Sequence, residues 1–287
     1  MLSPPALLLI VAILILLGLL LYWLVWLSEG AYLGRWAVRW LYDLGASTYD
    51  GVKQYDPLAE AAALGNPIFT RLEATSGPDA LVLDVATGTG RLPLALFELP
   101  FFTGEIVGLD LSRRMLAEAA LKTQKHRERL TLLHHPAVPL PFDDDTFDAV
   151  TSLEALEFMP DRHAALREMV RVLRPGGWLF VSNRIGSDTL YFPGRTDARR
   201  EFEAVLAELG LVEVETRLWQ SYYNLIFARR PGEGTGGPPR DWRAALRCPR
   251  CGHAGADTRH DSRWRCANCG AEIPITADGV WELEKAR

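Results

Sequence analysis

The sequence predicts a doubly wound α/β fold built on a seven-stranded, mostly parallel sheet, with one apolar helix ahead of it and a small cysteine-bearing module behind it. Three observations point there. Apolar runs of strand length alternate with segments of helical period, the pattern that places helices on both faces of a parallel sheet. A glycine-rich turn closes the first run, and a carboxylate ends the second. The last two runs follow one another almost directly, which requires an antiparallel edge.

The amino-terminal element is the plainest. From Ala6 to Leu27 there are 22 residues without a charge, 16 of them Leu, Ile or Val. As a helix they extend about 33 Å, enough to cross a hydrocarbon core of about 30 Å. Met1 to Pro5 carries no basic side chain, and no Ala-x-Ala-like site follows, so the stretch reads as an uncleaved anchor rather than a removed leader. Tyr22, Trp23 and Trp26 stand at one end of the span, where interfacial aromatics belong. Arg35 and Arg39 follow, which predicts a single-pass protein of the cell membrane with the amino terminus outside and the remainder cytoplasmic. Trp36, Val38, Trp40 and Leu41, interleaved with those arginines, fit either a helix in the headgroup plane or a plain spacer helix.

Strands are expected at Ala80–Val85, Glu105–Asp110, Leu130–His135, Asp148–Leu153 and Trp178–Asn183, with helices at Leu92–Glu98, Arg113–Lys125 and Arg162–Leu173. The strands are nearly unbroken apolar runs, as burial on both faces demands. A helix near Thr196–Leu209 and strands Val212–Trp219 and Tyr222–Ala228, joined by a tight Gln220-Ser221 turn, complete the sheet. Pro231–Pro239 holds seven Gly or Pro among nine residues and is a linker by composition. The expected organisation is an anchor over 1–28, a juxtamembrane helix over 29–47, the α/β domain over 48–230, the linker over 231–242 and a metal ribbon over 243–287.

Composition excludes several classes. With 48% apolar and 23% charged residues the chain is neither collagen-like nor disordered, and a net charge of -5 argues against a wholly phosphate-binding surface. All four cysteines fall between Cys248 and Cys269, one local site rather than a set of long-range staples. Cys248, Cys251, Cys266 and Cys269 form two Cys-x-x-Cys-Gly knuckles 14 residues apart, the spacing of a closed tetrahedral zinc site. Seven Arg against three Asp between Arg240 and Arg265 make a basic patch that suits anionic headgroups, RNA or plain solvation.

The segment Val82-Leu-Asp-Val-Ala-Thr-Gly-Thr-Gly-Arg-Leu92 is a strand, a small-residue turn and a helix start, so backbone N–H groups can approach a nucleotide-like ligand closely. Asp110 stands 20 residues after Gly90, placed to accept ribose hydroxyls. A dinucleotide fingerprint would have a third glycine where Pro93 stands, and the acidic Asp84 suits a ligand with an ammonium group better than a pyrophosphate.

Four ordered motifs then carry a family resemblance. Leu81–Leu92, Gly108-Leu-Asp-Leu-Ser-x-x-Met-Leu116, Leu140-Pro-Phe-Asp-Asp-Asp-Thr-Phe-Asp-Ala-Val150 and Arg171-Val-Leu-Arg-Pro-Gly-Gly-Trp-Leu179 resemble class I S-adenosylmethionine-dependent methyltransferases, whose fold is Rossmann-like. Tyr49-Asp-Gly-Val-Lys-Gln-Tyr-Asp56 is similar to the opening of the ubiquinone/menaquinone biosynthesis type. The resemblance implies S-adenosylmethionine as cofactor, with Asp84, Ala86 and Gly88 holding its methionine moiety and Thr87 and Gly90 also among the cofactor-binding residues. It places Asp110 on the ribose, Leu111, Ala137 and Val138 at the adenine, and Leu153 in the pocket below the methyl group. Ala86 replaces a customary glycine, which is tolerable at negative φ, and Pro136 replaces the acidic residue that usually meets the adenine amino group.

The donor methyl is already activated, so no catalytic nucleophile is expected. Glu154, Glu157, His163 and Tyr191 are the nearby candidates for a general base, each with an ordinary structural reading beside it. The loop Arg184–Arg195 is short, so the helices between Leu41 and Leu72, next to the anchor, should cover the substrate. That favours a lipophilic small-molecule acceptor, a quinone or lipid precursor; RNA or protein gripped by the ribbon, or a non-catalytic scaffold, are the competing readings. The tail from Cys266 to Trp281 resembles the small zinc proteins that activate methyltransferases, here fused in cis.

Overall fold

The computed structural model describes residues 3–53, 55–233, 241–255 and 263–285. Five helices come first: α1 (Pro4–Tyr22), α2 (Arg35–Gly45), α3 (Tyr49–Lys53), α4 (Pro57–Glu60) and α5 (Asn66–Thr75). Then follow β1 (Leu81–Val85), α6 (Arg91–Phe97), β2 (Glu105–Asp110), α7 (Arg113–Lys122), β3 (Leu130–His134), β4 (Phe147–Ser152), α8 (Arg162–Val172) and β5 (Leu173–Arg184). The chain continues through α9 (Arg199–Glu208), β6 (Val212–Gln220), β7 (Tyr223–Arg229), α10 (Trp242–Ala245), β8 (Arg263–Arg265), β9 (Glu272–Pro274) and β10 (Val280–Trp281).

The main sheet runs β10-β3-β2-β1-β4-β5-β7-β6, with β7 antiparallel to both of its neighbours. All seven expected strands are present. The eighth, β10, pairs in parallel with β3 through Val280–Leu132 and Trp281–Leu133 and is contributed by the cysteine module. Two residues are too short a run to give a periodic signal, so this strand escaped the sequence reading. β5 begins five residues earlier than expected because Leu173 already pairs with Phe147 ahead of an irregularity in register. The edge hairpin turns at Ser221-Tyr222, one residue beyond the expected turn.

Helix starts follow local chemistry. Ser112 caps α7 by accepting from the Met115 amide, and Asp161 caps α8 by accepting from Ala164. Apolar side chains from both sheet faces form two cores. The first contains Leu83, Val107, Phe147 and Leu179 and continues without a break into Trp242, Trp264, Ile273, Trp281 and Leu283 of the cysteine module. The second packs α5, α6 and α7 on the other face, through Leu72, Leu96 and Leu116. Of the expected linker, 234–240 lies outside the described residues, as does 256–262 of the basic patch.

The span Pro4–Leu27 is a 24-residue helix with mean hydropathy 3.1 and none of it buried. Its last turn widens to π geometry over Trp23–Leu27. The helix is long and apolar enough to cross a membrane.

Candidate active site

The strand order reverses between β1 and β4, where ligands of open α/β sheets enter beyond the strands' carboxyl ends. A pocket of about 370 Å³ lies at that point, lined among others by Ala86, Gly88, Asp110, Leu111, Ala137, Val138 and Leu153. A smaller cavity of about 40 Å³ adjoins it, with Asp84 and Thr87 joining Ala86, Gly88, Leu153 and Glu154 in its wall. Nine of the ten residues named from the sequence therefore line one or both cavities. Gly90 lines neither: with φ +85 it is the N-cap of α6, and a Cβ there would meet Ala119 at 3.4 Å.

Backbone geometry around the turn corrects one expectation. Ala86 has φ +60, not a negative value. The position is the left-handed one that a glycine would fill freely, and alanine there carries a strain of about 1 kcal/mol. Glu154 is likewise held at φ +52 beside the pocket. Non-glycine residues in this region gather where a site over-determines the backbone.

Two carboxylates, Asp84 buried and Asp110 half-buried, set the electrostatics. Burial pushes Asp84 from 3.8 up to about 6, against the stabilising bond from the Thr151 hydroxyl at 2.6 Å. Burial also raises Asp110, although Oδ2 accepts from the Gly88 amide at 2.8 Å and Oδ1 from the Ser112 amide at 2.7 Å. Each of these oxygens keeps the capacity to accept a further hydrogen bond. A Cβ built on Gly88 would meet nothing within 4 Å, so the turn leaves open space where a ligand can lie against backbone. An anionic group for an ammonium, a carboxylate for two hydroxyls and an apolar slot at Leu111, Ala137 and Val138 together fit an adenosyl amino acid. Pro136 also lines the slot, and the carboxylates in the larger pocket are Asp110, Glu154 and Asp161.

The expected roof is present but starts earlier in the chain. Arg35, Val38, Arg39 and Tyr42 of α2 and Tyr49 of α3 close the pocket, so the cover begins earlier than the expected Leu41. Side chains fasten it to the sheet end. Asp43 accepts from the Ser112 hydroxyl at 2.6 Å, Asp50 from the Thr89 hydroxyl at 2.6 Å, and Arg91 grips both oxygens of Glu60 at 2.7 and 2.8 Å. Tyr49 and Tyr55, from the segment that resembled the quinone-modifying type, line the smaller cavity with Arg91.

The base candidates are mostly spoken for. Burial works to raise Glu154, but Lys53 and Arg91 hold it below the usual carboxylate range, and Gln220 donates to it as well. Glu157 is buried against Arg184 and Tyr223. His163 and Tyr191 line neither cavity. One residue not foreseen does face the pocket: Tyr42 lines it and donates to Glu29 behind it at 2.9 Å, and burial raises the Glu29 carboxyl while that bond, Arg184 and Lys53 oppose the rise.

Residues 83–181 match the family described as Methyltransferase domain. The demethylmenaquinone methyltransferase of Staphylococcus aureus is 33% identical over a stretch covering 47% of this chain and 69% of that enzyme. The chain belongs to the class I S-adenosylmethionine-dependent methyltransferases. The enzyme of the same name from Bacillus licheniformis is 46% identical over 34% of this methyltransferase, and the match spans 42% of that relative's length. A putative S-adenosyl-L-methionine-dependent methyltransferase from Methanococcus maripaludis shares the fold at TM-score 0.54 and 20% identity, over 67% of this chain and 95% of its own. The [4+2]-cyclase SpnF is similar in fold at 0.56 and 20% identity, over 68% and 96%. A chain from the complex of the Haloferax volcanii Trm112 methyltransferase activator with a putative methyltransferase reaches 0.51 at 21% identity, over 67% and 98%. Because one such neighbour is a cyclase, the assignment to methyl transfer rests on the sequence family and not on the fold.

Away from the pocket, the four cysteines of the methyltransferase are free thiols whose Sγ atoms all lie within 4.8 Å of one another. The closest pairs, Cys248–Cys269 at 3.7 Å and Cys251–Cys266 at 3.6 Å, match the edge of a tetrahedron with metal–sulfur bonds of about 2.3 Å.

Proposed function

We propose that this methyltransferase is anchored in the cell membrane by the helix over Pro4–Leu27 and methylates a lipophilic acceptor, a quinone or lipid precursor, that reaches the pocket from the bilayer. One observation carries the reading: the pocket is roofed by α2 and α3, the first helices after the apolar span. Arg35 and Arg39 favour a cytoplasmic catalytic domain. The names of the two bacterial relatives point to a quinone-like acceptor.

On this reading Asp84 holds the methionine ammonium and Asp110 the ribose, the adenine lies among Leu111, Ala137 and Val138, and Ala86, Thr87 and Gly88 pass beneath. S-adenosylmethionine supplies a methyl group already activated on a sulfonium. The chain's part is alignment of the acceptor below Leu153, and positioning of this kind contributes about 7–11 kcal/mol. An acceptor that must lose a proton passes it to the Tyr42 oxygen as the Tyr42 hydroxyl proton moves to the Glu29 carboxylate, because burial keeps the phenol itself protonated. Because burial raises Glu29, the ionised form appears only above the usual carboxylate range, and the rate climbs with pH above that range. Glu29→Gln should lower the rate by about 10²-fold or more and flatten the climb while leaving S-adenosylhomocysteine affinity unchanged. An unaltered pH profile would remove the pair from the reaction.

The four thiolates hold structural zinc, with no open position for catalysis. Their module acts as a built-in activator by completing the sheet edge at β3. Glu282 from its tail meets buried His134 at 2.9 Å, and the other His134 nitrogen meets the Leu111 carbonyl at 3.0 Å, beside the cofactor slot. The deciding experiment is methyl transfer from labelled S-adenosylmethionine into a membrane extract. Label in the organic phase supports a lipophilic acceptor, and label confined to RNA or protein overturns it.

A further inference from the structure

The link between span and catalytic domain is a folded elbow rather than a loose tether. Only residues 28–34 separate Leu27 from α2. Ser28 is 0% and Ala31 1% exposed, and backbone bonds run in series: Ser28 to Trp23, Gly30 to Leu24, Ala31 to Ser28, Leu33 to Gly30 and Ala37 to Gly34. Trp23 stacks on Tyr32 at 4.9 Å, and the Tyr32 hydroxyl donates to the Pro193 carbonyl at 2.8 Å, tying the elbow to the loop after β5. Gly30 lies so close to Leu41 that a Cβ would sit 2.9 Å from its Cδ1.

A stiff elbow fixes which side of the domain meets the bilayer. α2 buries Ala37, turns Arg35, Val38, Arg39 and Tyr42 toward the pocket, and leaves Trp36, Trp40 and Leu44 exposed at 69%, 58% and 62%. Those three stand at i, i+4 and i+8, one stripe of the helix. Two exposed tryptophans and a leucine beside a membrane span have the composition of an interfacial helix, in which indole rings prefer the headgroup level.

We infer that the outward stripe Trp36, Trp40 and Leu44 is immersed in the headgroup layer of the bilayer, making α2 a partition with lipid on one side and the methyl-transfer pocket on the other. The inference rests on the anchored reading above and adds to it a fixed orientation. A lipophilic acceptor then has only the thickness of one helix to cross or skirt between bilayer and pocket, and the domain cannot rotate away from the surface.

The test uses the full chain in phosphatidylcholine/phosphatidylglycerol vesicles, with the photo-crosslinker benzoylphenylalanine at position 40, 44 or 101. Phe101 is 72% exposed but precedes β2, at the opposite end of the strands from the pocket. Phospholipid adducts at 40 and 44 at least about tenfold above those at 101 are expected for an interfacial stripe. Vesicles that float with the chain yet give no lipid adduct at 40 and 44, or equal adducts at 101, overturn the immersion while leaving the anchor intact. Crosslinks from 40 or 44 to a second copy of the chain overturn it in favour of self-association. A chain that does not float overturns the anchored reading, and this inference with it.

Discussion

Asp84→Asn should make the empty protein more stable at pH 8 and yet almost blind to its cofactor. Asp84 is 2% exposed, and burial lifts its carboxyl from 3.8 to about 6. A carboxylate raised on folding stabilises the fold most at low pH, and that contribution disappears as pH climbs from about 4 through about 6. Ionised at pH 8, the side chain costs about 3 kcal/mol that a neutral amide avoids. Asparagine can still accept from the Thr151 hydroxyl, so the amide keeps its local partner. The thermal midpoint should therefore rise by several degrees at pH 8, and the difference should vanish near pH 4. Affinity for S-adenosylhomocysteine should meanwhile fall about 10²-fold, because the ammonium loses a charge-assisted partner in a dry site. An amide variant that binds within threefold of the wild type, or that melts lower at pH 8, would contradict the assigned role.

Removing the carboxyl-terminal module is the other large effect. Ending the chain at residue 233 deletes Trp242, Leu246, Trp264, Ile273, Trp281 and Leu283 from a core that also contains Leu83, Val107 and Phe147. At about 1.5–3 kcal/mol per large buried side chain these six contribute about 9–18 kcal/mol, as much as the whole 5–15 kcal/mol by which domains are usually stable. It also strips β10 from β3 and leaves His134 without Glu282. The truncated chain should aggregate or melt without cooperativity at 25 °C, by calorimetry and light scattering. A soluble chain with an unchanged midpoint would show that the module is an independent appendage.

How much of this was legible beforehand differs by element for physical reasons. The parallel strands read clearly because burial on both faces makes them continuous apolar runs, as in Leu81–Val85. The span over Ala6–Leu27 and the knuckles at Cys248 and Cys266 need only local spacing. Nine of the ten residues expected at the cofactor line the two cavities because they cluster within a few residues of strand ends. What stayed hidden depends on distance. The partners that commit Glu154 lie 101 residues away at Lys53 and 63 away at Arg91, and Tyr42 reaches Glu29 only because the elbow folds back. β10 gave no signal because two residues have no period. The φ of Ala86 was misjudged because side-chain identity does not report the backbone when a site imposes it. Arg91 was the nearest to being found, since it directly follows the glycine turn and begins α6.

The most direct measurement is the fate of the methyl group itself. The methyltransferase chain from Met1 to Arg287, reconstituted in vesicles and supplied with labelled S-adenosylmethionine and a membrane lipid extract, should transfer label into the organic phase, and Asp84→Asn should abolish that transfer. Label recovered only in RNA or protein, or none transferred by wild-type protein that binds S-adenosylhomocysteine, would contradict the account.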